Sequence, residues 1–321
     1  MHYFNDGANG FLWDPLWRRN TGLTAAEGAL LQHPALRRLR AVPLWGPAGR
    51  ILPLNVTAWD HALGLFALVA HLRPHDWVLR AAALLSPIAS NPFGPIVAAA
   101  LPGEPAELAW TRLDESGIAA LLAQHELDPG LVGSLVTGEE RSPLAPQQAT
   151  LMGLADLDRI VRATEALGIG ERPAHTLLPA IKLEGDAVSV TELGVGRELI
   201  RRLAADLRTR YKARPLGLAG LAWAIATESG LTALELSRLT EAEALRQATG
   251  STALVEVLEG RPWSVTAKQG EGTKGLHLTV SHLPLCEPLL DGEPLSAHLP
   301  EAIAILDSLT IIKGAYRIHL R

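Results

Sequence analysis

The sequence predicts a mainly α protein with a small antiparallel β-containing C-terminal part. Two observations carry this. Through the first 250 residues apolar positions recur at helical spacing, interrupted by segments rich in proline and glycine. Beyond that point the pattern changes to short, alternating, β-rich runs separated by glycines. The expected organisation is a helical domain over 1–250 and a smaller α+β region over 251–321 packed on it.

The individual elements follow from local signals. Residues 24–42 (TAAEGALLQHPALRRLRAV) read as two helices split by Pro34, with Thr24 as N-cap and Glu27 three residues on. Helices are expected over 58–72, 77–86, 115–126, 147–167, 193–213, 216–228 and 232–248. Thr232 with Glu235, and Thr240 with Glu243, have capping-box spacing. The segment 127–146, which carries Gly130, Gly133, Gly138, Pro143 and Pro146, reads as a loop. In the tail, 252–258, 262–268 and 275–281 read as strands of one small sheet, closed by 309–320. KQGEGTKG (268–275) lacks phosphate-loop spacing and reads as a hairpin connection.

Composition excludes several classes. Of 321 residues, 48% are hydrophobic and 20% charged, which suits a globular chain with a substantial core. A net charge of −5 gives no sign of nucleic acid or an anionic membrane as partner. A single cysteine, Cys286, rules out a disulfide framework and a cysteine-based zinc site, and reads as a buried inert thiol. No apolar stretch is long enough to span a bilayer, and the first residues lack a secretory pattern. The expected location is cytoplasmic. Arginine far outnumbers lysine, the mark of a GC-rich bacterial genome.

Four segments share an order and spacing. They are NDGANGF (5–11), HPALRRLRAVPLWG (33–46), LPLNVTAWDHALGLFALVAHL (52–72) and LLSPIASNPFGP (84–95). Arg38, Leu39, Arg40 and Gly46 stand in the second, and Thr57, His61, Leu63 and Gly64 in the third. With ADLDRIVRATEALGI (155–169) and LTEAEALRQA (239–248), this resembles the HD-domain metal-dependent phosphohydrolases, in particular the deoxynucleoside-triphosphate triphosphohydrolase branch. The resemblance covers most of the chain. It implies an HD-domain helical bundle with a small β-containing tail, and homodimers by analogy.

The same resemblance implies that the chemistry is gone. The family holds a divalent metal with a His, a His-Asp pair and a distant Asp, and the metal makes hydroxide from bound water. His61 stands at the first position and Asp158 at the last. The central His-Asp is Ser86-Pro87, and proline offers no donor atom. The two downstream histidines used for proton transfer are Ser90 and Pro95. Positions that contact sugar and phosphate have become Leu44 and Ala58, and the Asp-Tyr after the distant Asp is Val161-Arg162. No catalytic residue, metal or cofactor is therefore expected. His61 reads as a buried, hydrogen-bonded histidine, with Asp158 or a serine hydroxyl as partner.

The leading expectation is an inactive homologue that binds, scaffolds or regulates, with a protein partner or a second copy of itself. Two rivals stay open. One is an enzyme with altered or metal-free chemistry on His61 and Asp158, with Glu165 as a further ligand. The other is a sensor of a small phosphate ligand or nucleotide. Any retained pocket is expected among Arg38, Arg40, Leu44, Asp60, His61, Ser86, Ser90, Asp158 and Arg159. His75-Asp76 spells the family's pair but follows Pro74, so Asp76 reads as a helix cap. Trp13, Trp17, Trp45, Trp59 and Trp77 read as core, with filling of the old site as the alternative.

Overall fold

The computed structural model describes residues 10–270 and 276–320. The opening motif at 5–9 and residues 271–275 of the glycine-lysine connection lie outside them. The fold is mainly α, with small sheets at three places. No helix among the described residues is long and apolar enough to cross a membrane.

Capping chemistry places the helices that matter. The helix Ala58–Leu72 starts at Thr57, whose side chain accepts from the Asp60 N–H while Asp60 reaches back to the Thr57 N–H. This helix is buried on nearly every side, consistent with its almost unbroken apolar sequence. Asp76 caps Trp77–Leu85 by accepting from the Leu79 N–H at 3.0 Å, as its position after Pro74 predicts. Pro34 divides Ala25–Gln32 from Pro34–Arg37, and Thr24 with Glu27 forms the expected box. Glu27 is buried, and Arg80 donates to both of its carboxylate oxygens.

Several expectations are corrected. The loop expected over 127–146 contains a helix, Pro129–Thr137. Its proline and glycine are end signals, not breakers: Pro129 occupies the first turn, Asp128 caps it, and Gly138 closes it at φ +77°. The helix expected over 115–126 is confined to Ile118–Gln124 and starts after Gly117, at φ +80°; Pro105–Glu115, before it, is a helix that was not expected. The helix expected from 147 starts only at Leu154. The strand expected over 252–258 is a helix, Thr252–Gly260, because the run TALVEV suits either state and its burial follows one helical face. Two hairpins were not expected: Phe11–Asp14 with Arg19–Gly22, and Ile181–Glu184 with Ala187–Val190. The second is joined in parallel by Leu289–Leu290, so not every pairing is antiparallel.

The tail sheet is antiparallel, with Gly314–Leu320 between Val265–Gln269 and Leu276–Val280. The helix Ala213–Glu228 lies close on it. A Cβ at Gly217 would come within 2.8 Å of the Thr266 backbone, so glycine there sets the approach. The buried apolar side chains fall into two main clusters. One gathers the helices that carry His61, Leu84 and Asp158. The other joins Phe93, Val97 and the helix Ala213–Glu228 to the tail sheet.

Candidate functional site

The helix Ala58–Leu72 and the helix Leu154–Ala166 bring His61 and Asp158 together, 97 residues apart in sequence. The His61 Nδ1 lies 2.8 Å from Asp158 Oδ2. Asp158 is fully buried. Its Oδ1 accepts from the indole Nε1 of Trp17 at 2.7 Å and from Arg162 Nη2 at 2.8 Å. Its Oδ2 also accepts from Arg162 Nε at 2.9 Å. An ionised carboxylate has about four lone-pair sites. Asp158 therefore spends all of them within the chain.

Arg162 is the cation of this cluster. It sits one turn after Asp158, holds it bidentately, and donates from Nη2 to Asp14 Oδ2 at 2.9 Å. Asp14 ends the strand Phe11–Asp14 and accepts from the Trp17 N–H at 2.8 Å, which turns the chain so that Trp17 points inward. Burial alone would raise the Asp158 carboxyl. The Arg162 charge, then the hydrogen bonds from His61 and Arg162, overcome it and hold the carboxyl well below the usual carboxylate range. Burial opposes the charge on Arg162 as well, and Asp158 and Asp14 raise it further above the ordinary arginine value.

A depressed carboxyl has a defined acid signature. The unfolded carboxyl titrates near ~3.9. The folded value is lower, so the stabilisation is full above that pH and is lost as pH falls through the folded value. Urea midpoints of the protein and of Asp158→Asn should differ by the same amount at pH 7 and pH 5. The gap should narrow only below about pH 4. A gap that closes already between pH 7 and 5 would contradict this assignment.

The other expected residues disperse. Asp60 is committed to the helix cap. Arg159 pairs with Asp206 and Asp156, each at 2.9 Å, on a different side of the helix from Asp158. Arg38 donates to the carbonyls of Leu239, Ile88 and Ser90, so it holds part of the segment 84–95 by its backbone. Ser86 ends the helix Trp77–Leu85, Pro87 is buried, and Pro95 begins the helix Pro95–Ala100. Leu44 faces a narrow recess of about 10 Å³ with Trp45, Leu54 and Ala163, room for one water at most. Arg40 stacks on Trp59 at 4.4 Å and lines a surface cleft of about 340 Å³ with Arg50, Asn55, Thr57 and Glu241.

Of the five tryptophans in the first quarter of the chain, Trp17, Trp45 and Trp59 are core, whereas Trp13 and Trp77 are exposed, at 37% and 45%. Trp17 lies beside Asp158 and takes one of its lone pairs. Glu165 accepts from Arg202 Nη1 at 3.1 Å and is not part of the cluster. Cys286 is buried, and burial pushes its thiol well above the usual range. Sequence reasoning passed over Asp14 and saw Arg162 only as a departure. The spacing of Asp158 and Arg162, four apart on a helix, was the available signal.

A divalent metal does not fit here. Asp158 has no free acceptor, a guanidinium already supplies the positive charge, and Ser86-Pro87 offers no carboxylate or imidazole. Among the described residues no group of three His, Cys, Asp or Glu side chains could hold a metal ion.

No protein-family model matches the chain, and no curated protein matches it. Among solved structures, a hypothetical protein from Aquifex aeolicus is similar in fold, with a TM-score of 0.63 at 16% identity. The match covers 100% of this chain and 96% of that one, so the likeness extends over the whole architecture.

Proposed function

We propose that this chain is a catalytically inactive relative of the HD-domain phosphohydrolases that works by binding, as a scaffold or regulator. The observation that carries the reading is the saturation of Asp158. Its four acceptor positions go to His61, Trp17 and Arg162, so the position where the family would bind metal is closed by the protein's own cation. Enzymic phosphate-ester hydrolysis requires rate enhancements of ~10¹⁷-fold or more. A positioned His61 without metal would supply roughly 10²–10⁴ of that. The shortfall argues against a metal-free hydrolase built on this pair. A homodimer or another protein as partner, and a cytoplasmic location, belong to the same proposal.

The test is the metal content of untagged protein purified without chelator, read by mass spectrometry, beside a dNTP hydrolysis assay. The expected result is bound transition metal far below one equivalent and no hydrolysis above buffer. Near one equivalent of metal, or hydrolysis abolished by His61→Ala, would overturn the proposal in favour of an altered enzyme.

A further inference from the structure

A second charged cluster lies away from His61, where the two apolar cores meet. Arg112 on the helix Pro105–Glu115 is buried, with 8% of its surface exposed. Its guanidinium pairs with Glu115 one turn on, at a long 3.9 Å. Glu115 is itself gripped by Arg238 through Nε and Nη2. Arg38 is nearby and has only backbone carbonyls as partners. The carboxylate that acts on it, Glu243, is spent on the Thr240 cap. The Nε atoms of Arg38 and Arg112 are both buried and both lack a partner.

That arrangement is costly as it stands. A buried charge whose carboxylate is held more tightly by another arginine is incompletely compensated, and a buried donor left unpaired adds to the cost. Burial, then the charge of Arg112, pushes Arg38 down to about 10; burial and the charge of Arg238 lower Arg112. Two guanidinium groups repelling each other, with unused N–H donors, are what an oxyanion would relieve. A guanidinium fork fits phosphate geometry, and a phosphoryl group carries about −1.5 to −2 near pH 7, enough to offset both arginines.

We propose that Arg38 and Arg112 form a binding site for a small oxyanion of the phosphate class, with half-buried His33 and exposed Arg238 beside it. Leu39, next to Arg38 in sequence, and Ala109 and Leu113, on the helix of Arg112, belong to the first core, and Leu236, two residues before Arg238, belongs to the second. The bound anion would thus tie the two cores together. The site is separate from the His61 cluster, so the metal and hydrolysis measurements above say nothing for or against it.

The experiment is a thermal-unfolding titration with orthophosphate and, separately, adenosine monophosphate, each against sodium chloride at matched ionic strength. A ligand that binds only the folded state should raise the midpoint saturably, by roughly 2–4 °C at tenfold excess over its dissociation constant. A larger response to the monophosphate assigns the phosphoryl group to a small molecule; an equal or larger response to orthophosphate assigns the free ion. Arg112→Gln should lose the response and, in phosphate-free buffer, unfold no earlier than the parent, because it removes a buried charge whose carboxylate is already held by Arg238. Arg201→Gln, on an exposed ion pair, should keep the response. The proposal is overturned if neither phosphate acts beyond sodium chloride or if Arg112→Gln still responds. It is equally overturned if Arg112→Gln lowers the midpoint without phosphate, since the long pair with Glu115 would then be enough to compensate Arg112.

Discussion

Arg162→Met should destabilise the protein by about 3–5 kcal/mol at pH 7, the loss expected when one partner is removed from a buried ion cluster. The methionine has nearly the right length and no charge. It would leave Asp158 and Asp14 fully buried with no cation between them. Asp158 would keep His61 and Trp17 as donors, and Asp14 would keep the Trp17 N–H, so the deficit is in charge more than in hydrogen bonds. The carboxylates would respond by taking up protons, as isolated buried acids do. The variant should therefore lose less stability relative to the parent at pH 4 than at pH 7. Urea denaturation at the two pH values measures this. A loss under about 1 kcal/mol at pH 7 is in the range of an exposed pair and would mean that water reaches the cluster.

The comparison of sequence with structure has a physical pattern. Elements with strong local signals were legible: Ala58–Leu72 from its cap and apolar run, Trp77–Leu85 from Asp76, the split at Pro34, and the tail sheet from alternation. The mistakes fall where one signal has two meanings. Pro129 and Gly138 mark helix ends as well as loops, and a short β-branched run such as 252–258 suits helix or strand. The hairpin Phe11–Asp14 with Arg19–Gly22 was missed because its strands are four residues long, too short for alternation to register.

The site divides the same way. That His61 and Asp158 should be neighbours is what the resemblance to the HD-domain family implies, and the two lie 2.8 Å apart. What fills the space between them did not follow. Asp14 and Trp17 come from the far end of the chain, and only the fold places them against Asp158. Arg162 is visible in sequence as an i,i+4 partner, yet many such pairs are exposed and weak. Its burial, which gives it its energetic weight, is a property of packing.

Gly64 carries the sharpest packing consequence of that cluster. It lies one turn after His61 on the helix Ala58–Leu72, at ordinary helical dihedrals, so backbone freedom does not explain a glycine there. The reason is proximity. A Cβ at this position would sit 1.7 Å from Arg162 Nη2 and 2.2 Å from Asp158 Oδ1. Helix propensity alone favours Gly64→Ala by about 1 kcal/mol. Overpacking costs ~1–3 kcal/mol, and displacing Arg162 from Asp158 adds part of the buried-pair loss of ~3–5. The terms decide against alanine, with an expected net loss of about 2–4 kcal/mol in urea denaturation. The double variant Gly64→Ala with Arg162→Met should lose less than the sum of the two single changes, because once the guanidinium is gone the methyl group has somewhere to go. Strict additivity would mean that Gly64 and Arg162 do not meet, and the closed cluster around Asp158 would fail with it.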